Sequence, residues 1–325
     1  MIPKLVRLSV GSATELGLER FRLDSKPTTI YILLYNPHRC KANCAFCSQA
    51  RESLSDLDKL SRVEWPLYDL QTVSKALQNV KSIKRICIQT LNYSYMFRDL
   101  TEIIKIIKKK TELPISVSCK PLEKNQLKML RKLGVDRISI PLDAATEGLF
   151  EKVKGAKVKG PYSWKRHIKA LKEAVKIFGN GKVSTHLIIG LGEKEEQAAS
   201  FMQRMKDEGI YTGLFAFTPI VGTLLENNHR PNIESYRRIQ IARHLISTGL
   251  CNYNKMKFDR AGKIKNFGIG IKTLTTAIGS GNPFCTSGCP GCNRPYYNER
   301  PSGPIYNFPH QPNKKDIEMI RNQLK

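Results

Sequence analysis

Six of the nine cysteines form two groups with the same spacing. Each group follows the pattern C-x3-C-x2-C, and the members are Cys40, Cys44 and Cys47 in the first group and Cys285, Cys289 and Cys292 in the second. Three thiolates this close together on a loop can hold three corners of a cubane iron–sulfur cluster and leave its fourth iron open to a ligand. Zinc is the alternative metal, completed by His38 in the first group or by His310 in the second. An electron-relay cluster is a further alternative for the second group.

The other three cysteines stand alone at positions 87, 119 and 251. An odd cysteine count with two repeated groups does not indicate a disulfide framework. Residues 1–18 contain no apolar block of signal-peptide length, and the longest apolar run, residues 30–35, is far shorter than the roughly 18 residues of a membrane helix. We therefore expect a soluble, cytoplasmic, metal-binding protein without a membrane partner.

Charge gives a second indication. The chain has 54 Lys and Arg against 28 Asp and Glu, a formal net charge of +26, and 41% of its residues are hydrophobic. This composition excludes an acidic disordered chain. It fits an acidic partner and equally fits solvated, lysine-rich helix faces, so charge alone leaves both interpretations open.

The elements that must position these cysteines alternate between two hydrophobic periods. Strands are predicted at residues 29–35, 84–90, 114–119, 136–142, 183–189 and 211–219, and helices at 95–109, 122–133, 163–178, 194–207, 233–247 and 316–323. Six strands with helical crossovers predict an α/β fold with a parallel sheet, a partial or full TIM-type (β/α) barrel. The first cysteine group then follows the first strand, at the sheet edge where such barrels carry their chemistry.

Three regions are expected from this pattern. Residues 1–27 form an N-terminal extension, residues 28–265 the barrel, and residues 266–325 a C-terminal segment that binds an auxiliary cluster. A further short strand is compatible with residues 256–259. Residues 279–312 are rich in Gly, Pro, Asn and Cys and show little helical periodicity, which indicates a segment wrapped around the barrel.

The first cysteine group, with Phe46 before Cys47 and a strand before the loop, resembles that of the radical S-adenosylmethionine (SAM) enzymes. The resemblance implies a [4Fe-4S] cluster whose open iron binds the amino and carboxylate groups of SAM. It also implies reductive cleavage of the sulfonium and a 5′-deoxyadenosyl radical that takes hydrogen from an unactivated carbon.

The closer resemblance is to the biotin synthase branch of that family. Residues 183–193, which end in Gly190-Leu191-Gly192-Glu193, are similar to its fifth strand and turn, and Phe217-Thr218-Pro219 to the end of its sixth strand. Pro141-Leu142-Asp143 stands where the branch has Asn-Leu-Asp, and Gln89-Thr90-Leu91 replaces a turn resembling Gly-Gly-Glu. The resemblance implies contacts to SAM from Phe46, Gln89, Ser118, Asp143, Arg166, Ile188, Gly190 and Gly192. Of these, Phe46 and Ile188 are expected at the adenine.

The same branch holds a second cluster in the barrel with cysteines from strands two, three and five. This chain has Cys87 and Cys119 on strands two and three but Ser184 on strand five. That set of ligands is incomplete, which argues against biotin synthesis and favours Cys87 and Cys119 as small buried residues. Alternation places Ser184, His186 and Ile188 on one strand face.

The second cysteine group and the segment after it, residues 292–301 and 304–309, resemble the archaeal two-protein lipoyl synthases. The resemblance implies two [4Fe-4S] clusters, with the auxiliary cluster as donor of sulfur to an octanoyl-lysine on an acidic lipoyl carrier protein. It also implies a paralogous radical SAM partner and an electron donor such as ferredoxin. In single-chain lipoyl synthases the auxiliary triplet precedes the barrel and the chain ends in Arg-Ser-Ser, whereas this sequence ends in Asn-Gln-Leu-Lys.

Other functions remain open from the sequence. A tRNA methylthiotransferase also has two clusters and basic charge, although the extra cysteines of that family usually precede the barrel, and we do not expect a nucleic-acid partner. Another biotin synthase-like sulfurtransferase, a non-catalytic iron–sulfur scaffold or electron carrier, and a zinc-binding module are the further alternatives.

Overall fold

The computed structural model of the protein describes residues 3–80 and 82–324, so the outermost positions of the two predicted terminal regions lie outside the described residues. The strands are β1 (Leu5–Leu8), β2 (Thr29–Leu34), β3 (Lys59–Leu60), β4 (Val63–Glu64), β5 (Leu67–Asp69), β6 (Arg85–Gln89), β7 (Ile115–Ser118), β8 (Val135–Ser139), β9 (Val183–Ile189), β10 (Ile210–Ala216), β11 (Lys257–Phe258) and β12 (Ile264–Asn266). The α-helices are α1 (Val10–Glu15), α2 (Leu70–Ala76), α3 (Met96–Lys108), α4 (Lys124–Lys132), α5 (Glu147–Val153), α6 (Trp164–Phe178), α7 (Glu195–Asp207), α8 (Ile233–Thr248), α9 (Ile271–Gly279) and α10 (Lys314–Gln323).

The main sheet has eight strands in the order β10-β9-β8-β7-β6-β2-β1-β5. The run from β2 to β10 is parallel and contains the six predicted strands, which confirms the α/β fold with a parallel sheet. All six residues of β2 are buried, as expected for a strand covered on both faces. Along β9, fully buried residues alternate with half-buried ones, and the half-buried face is the inner one.

Two short strands extend the sheet beyond β2 and were not predicted. β1 pairs antiparallel with β2, and β5 pairs antiparallel with β1. Three to four residues are too few to show a clear period, so the sequence gives little signal for them. The described strand pairing leaves β10 and β5 at opposite edges, so the architecture is a partial barrel.

Several predicted strands end earlier than expected. The eighth and tenth strands stop at Ser139 and Ala216, shortly before Pro141 and Pro219, because proline cannot donate to a sheet ladder. The strand predicted at residues 256–259 is reduced to β11, which pairs with β12 in a separate two-stranded sheet.

The C-terminal region packs on α8. Ile241 and Leu245 of that helix share a small hydrophobic cluster with Phe284, Phe308 and residues of α10. The guanidinium of Arg237, also on α8 and completely buried, donates to the carbonyl oxygens of residues 305 and 306. Among the described helices, none has both the length and the apolar character needed to cross a membrane.

Candidate active site

One cavity occupies the interior of the curved sheet. Strand register places matched residues side by side, so Cys87 on β6 lies between Tyr31 on β2 and Ser116 on β7. All three line the cavity. Two residues further along, Gln89 and Ser118 form the next matched pair on the same face. The strands therefore give the cavity two levels. The lower level lies near the middle of β6, at Cys87, and the upper level lies at the carboxyl ends of the strands.

The first cysteine group closes the carboxyl end of the cavity. Cys40, Cys44 and Cys47 lie on the loop after β2, all three line the cavity, and their thiols are free. A turn brings the last two together, with the N–H of Cys47 donating to the carbonyl of Cys44 at 3.0 Å. The backbone N–H of Asn92 donates to Cys40 Sγ at 3.1 Å. The loop thus presents three thiols with a donor already directed at one of them.

These thiols need a cationic partner to ionise. Burial raises the pKa of Cys47 to about 12 and also raises the pKa of Cys44, and the nearby ammonium of Lys154 only partly offsets this. Among the described residues, no group of three or more Cys, His, Asp or Glu side chains meets the geometry for one metal ion. Iron–sulfur clusters are bound by thiolates, and their iron ions supply the positive charge that these thiols lack. A cluster is also larger than a single metal ion, so its ligands can lie further apart. The donor set fits such a cluster.

A buried ion pair lies beside the first cysteine group. Lys154 Nζ donates to Asp143 Oδ2 and to the carbonyl of Pro141, both at 2.6 Å. Asp143 adopts a left-handed φ of 68°, and its N–H donates to the carbonyl of His186 on β9 at 2.9 Å. Burial lowers the pKa of Lys154, but Asp143 and the two nearby cysteines together outweigh this effect, and the net pKa is raised. The ion pair thus places the Asp143 carboxylate at the cavity wall.

Sequence reasoning missed Lys154. It belongs to a series of lysines with Lys152, Lys157 and Lys159, which looked like an ordinary solvated surface. Only its place between Val153, the last residue of α5, and Gly155 distinguishes it, and that signal is weak.

The helix α6 presents His167 to the cavity, not the expected Arg166. The Arg166 side chain is 70% exposed and pairs with Glu123 at 3.5 Å. His167 lines the cavity, its ring packs edge-on against Phe150 and Tyr162, and burial lowers its pKa to about 3. One residue on a helix is a rotation of about 100°, so a shift of one position moves a side chain from solvent to cavity. The expected contact from Arg166 to SAM is therefore not supported by its position.

The other predicted SAM contacts divide into two sets. Those that line the cavity are Phe46, Gln89, Ser118, Asp143 and Ile188. Gly190 and Gly192 are not among the lining residues. Gly190 has a φ of 104°, its N–H donates to Glu193 Oε1 at 2.7 Å, and a Cβ there would lie 2.9 Å from Pro231 Cδ. These glycines shape the turn after β9, and their contact with SAM stays a prediction.

The three cysteines of the second group do not lie together in the structure. Cys289 Sγ lies 3.3 Å from Ser116 Oγ, and Cys292 Sγ lies 3.1 Å from Tyr31 Oη, so both reach the lower level of the cavity. Cys285 does not line the cavity, and its Sγ lies 3.7 Å from the carbonyl oxygens of Gly281 and His310. The structure therefore does not bring the three cysteines expected to share a cluster into one site.

The lone cysteines Cys87 and Cys119 both line the cavity, but they are not matched neighbours on β6 and β7. Cys87 faces the lower level, but its neighbour on β7 is Ser116. Cys119 lies three residues beyond Ser116, about 10 Å along the strand direction. On β9, Ser184, His186 and Ile188 line the cavity as alternation predicted, and burial lowers the pKa of His186 to about 4.

Residues 285–298, which we call the closing segment, cover the open side of the barrel. The backbone N–H of Leu214 on β10 donates to Ser287 Oγ at 2.7 Å, and the N–H of Thr28 donates to Asn293 Oδ1 at 2.9 Å. The guanidinium of Arg294 stacks 3.8 Å from the centre of the Phe215 ring. The closing segment thus joins the edge strand β10 to the start of β2 and forms part of the cavity wall.

The fold and the cysteine loop agree with a sequence match to a known class of enzyme. Residues 37–205, just over half of the chain, match the radical SAM superfamily, and the chain belongs to this superfamily. Membership implies a [4Fe-4S] cluster and SAM, for which the first cysteine group and the cavity beside it are suited.

Within the superfamily, the chain is similar to biotin synthases. It is 33% identical over 200 residues to the biotin synthase of Methanococcus aeolicus, covering 58% of this chain and 57% of that protein. It is 27% identical over 219 residues to the biotin synthase of Ehrlichia canis, covering 64% and 62%. The chain thus spans less than two thirds of the length of these relatives.

Two solved structures share the fold. A crystal structure of methylornithine synthase superposes with a TM-score of 0.54 at 15% identity, covering 97% of this chain and 84% of that one. The FeFe-hydrogenase maturase HydG from Carboxydothermus hydrogenoformans gives a TM-score of 0.51 at 18% identity, covering 67% and 51%. At these identities the likeness supports the fold alone.

Proposed function

We propose that this radical SAM enzyme is a sulfurtransferase that inserts sulfur at an unactivated carbon of an octanoyl-lysine on a lipoyl carrier protein. The observation that carries the proposal is the presence of two separate sets of cysteines on one cavity. The first group closes its carboxyl end, and Cys289 and Cys292 lie at its lower level. A site that both activates a carbon and supplies sulfur to it needs two such sets within reach of one substrate.

The chemistry supplied when cluster and SAM are bound at the first group is formation of a radical that abstracts hydrogen from an unactivated carbon. The residues of this chain do the positioning. Asp143, paired with Lys154, presents a carboxylate acceptor to a ligand, and Gln89 and Ser118 offer polar groups on the facing strands. The closing segment forms part of the cavity wall, which limits the access of water to a bound carbon.

The cavity wall and the charge support this choice of substrate. Apolar side chains that suit an aliphatic chain line the cavity, among them Leu33, Leu91, Ile188, Phe215 and Phe217. The net charge of +26 favours docking of an acidic carrier protein. A paralogous radical SAM partner and an electron donor such as ferredoxin belong to the same proposal.

The test is anaerobic incubation of an octanoyl-lysyl carrier with reduced enzyme and SAM, with and without a paralogous chain. We expect 5′-deoxyadenosine and a carrier that has gained sulfur, as measured by mass spectrometry. The Cys44→Ala variant is the control and should form neither product. Deoxyadenosine without any sulfur on the carrier, in both conditions, would show that the substrate or the reaction is different.

A second candidate is biotin synthase-like sulfur insertion into a molecule without a carrier, and the similarity to biotin synthases is the observation that favours it. Ser184 stands where that branch has a cluster-binding cysteine, which favours the first candidate. Binding of acidic carrier that weakens steeply with added salt supports the carrier substrate.

A further inference from the structure

Three cysteines from two distant parts of the chain meet at the lower level of the cavity. Because Tyr31, Cys87 and Ser116 occupy matched positions on adjacent parallel strands, their side chains leave the same face about 5 Å apart. Tyr31 Oη contacts Cys292 Sγ at 3.1 Å, and Ser116 Oγ contacts Cys289 Sγ at 3.3 Å. Cys87 stands between those two contacts. Its thiol therefore lies beside both thiols that the closing segment inserts.

The surroundings of these thiols suit an anionic group. Arg85, 5% exposed, donates to Ser116 Oγ at 2.7 Å, and the backbone N–H of Arg294 donates to Tyr31 Oη at 3.1 Å. Both hydroxyls are thereby free to direct their own hydrogens at the sulfur atoms. Donors and cations behind the ligands stabilise a thiolate-bound cluster and set its properties.

We propose that Cys87, Cys289 and Cys292 are three thiolate ligands of a second iron–sulfur cluster, and that Cys285 lies outside the ligand set. The inference rests on the proposed function for the presence of a second cluster and adds where that cluster is bound. One ligand comes from the strand wall and two from the closing segment. The cluster therefore lies inside the cavity, facing the first cysteine group, and not at the outer surface near Cys285.

The experiment counts iron in a protein that lacks the first cluster. In a Cys40→Ala/Cys44→Ala/Cys47→Ala background, iron and acid-labile sulfide per chain are measured after anaerobic reconstitution, together with the Mössbauer spectrum. We expect the iron that remains in this background to be lost in Cys87→Ala and Cys289→Ala. We expect it to be kept in Cys285→Ala and in Cys119→Ala, the matched control for removing a cavity-lining cysteine.

Far-ultraviolet circular dichroism of each variant separates ligand loss from misfolding, and Cys87→Ser provides a second, more conservative change. With an oxygen ligand in place of sulfur, Cys87→Ser should alter the Mössbauer parameters even where some iron is retained. Full iron with an unchanged spectrum in both Cys87 variants, together with loss in Cys285→Ala, would overturn the proposed ligand set. So would a background protein that binds no iron.

These outcomes are independent of turnover. A protein that loses its second iron site with Cys87, yet never transfers sulfur to a carrier, would support the ligand set and refute the proposed reaction. Sulfur transfer that survives in Cys87→Ala would support the proposed reaction and refute the ligand set.

Discussion

The ion pair between Lys154 and Asp143 provides a quantitative test of the site. The side chains are 6% and 8% exposed, and the charged atoms are 2.6 Å apart. At an effective dielectric constant of about 20, their attraction is about 6 kcal/mol. Removing one partner leaves the other charge buried without compensation, which typically costs about 3–5 kcal/mol. We expect Lys154→Met to lower the free energy of unfolding by about 3–5 kcal/mol.

The assay is urea denaturation of a complete double-mutant cycle. Lys154→Met and Asp143→Asn should each destabilise the protein, and the double variant should recover much of the loss because no unpaired charge remains. Lys105→Met is the matched control, since Lys105 pairs with Glu102 at 2.7 Å but is 50% exposed. Its expected cost is below about 1 kcal/mol.

Two results would refute the reasoning. The first is a loss in Lys154→Met no larger than in Lys105→Met. The second is additive losses in the double variant, which would mean that the two side chains do not interact. SAM binding measured on the same proteins gives the functional side of the test. Asp143→Asn should weaken binding even where the double variant regains stability, because the carboxylate on the cavity wall is lost.

Three further predictions concern the stability of other parts of the protein. The folded pKa of His167 is about 3, below the ordinary 6.5, so the unfolded chain binds the proton first. Stability should therefore fall as the pH drops from about 6.5 towards 3, by about 2 kcal/mol between pH 7 and pH 5. Urea denaturation at each pH should show that this fall is lost in His167→Gln and kept in His38→Gln. Gly190→Ala should lower stability by about 1–3 kcal/mol, because an alanine there is strained and its Cβ meets Pro231. Gly148→Ala, in the helix α5, should not destabilise the protein because its Cβ would point into open space. Thermal unfolding of both variants tests this difference. Arg237→Met should cost at least about 3 kcal/mol and speed proteolysis around residues 305 and 306, which Arg237 anchors to α8, because their carbonyl oxygens lose charged donors. Unchanged proteolysis would contradict that anchoring role.

The barrel and the first cysteine group could be predicted because their signals are local. The six parallel strands show as continuous or alternating apolar runs, and Cys40, Cys44 and Cys47 lie within one loop. The predicted helix over residues 163–178 is also correct within one residue. The prediction of which side chain of this helix faces the cavity was wrong, since it is His167 and not Arg166. Choosing between adjacent helical positions requires the orientation of the helix, which depends on its tertiary packing.

The lower level of the cavity could not be predicted from spacing. Cys285, Cys289 and Cys292 repeat the spacing of the first group, yet the structure places Cys285 apart from the other two. The approach of the closing segment to Cys87 depends on strand register and on contacts between residues more than 200 positions apart. Lys154 was missed for a similar reason, because its burial follows from tertiary packing around Asp143.

The closing segment also bears on the order in which the molecule is made. Its contacts join Tyr31 to Cys292 across 261 positions and Thr28 to Asn293 across 265 positions. Neighbouring strand–helix units can form as each leaves the ribosome, whereas contacts of such long range must wait for the closing segment and pay the largest loop-closure entropy. During synthesis, the chain therefore carries its first cysteine group in a barrel that is still open on one side, and that side is the last part of the cavity wall to form.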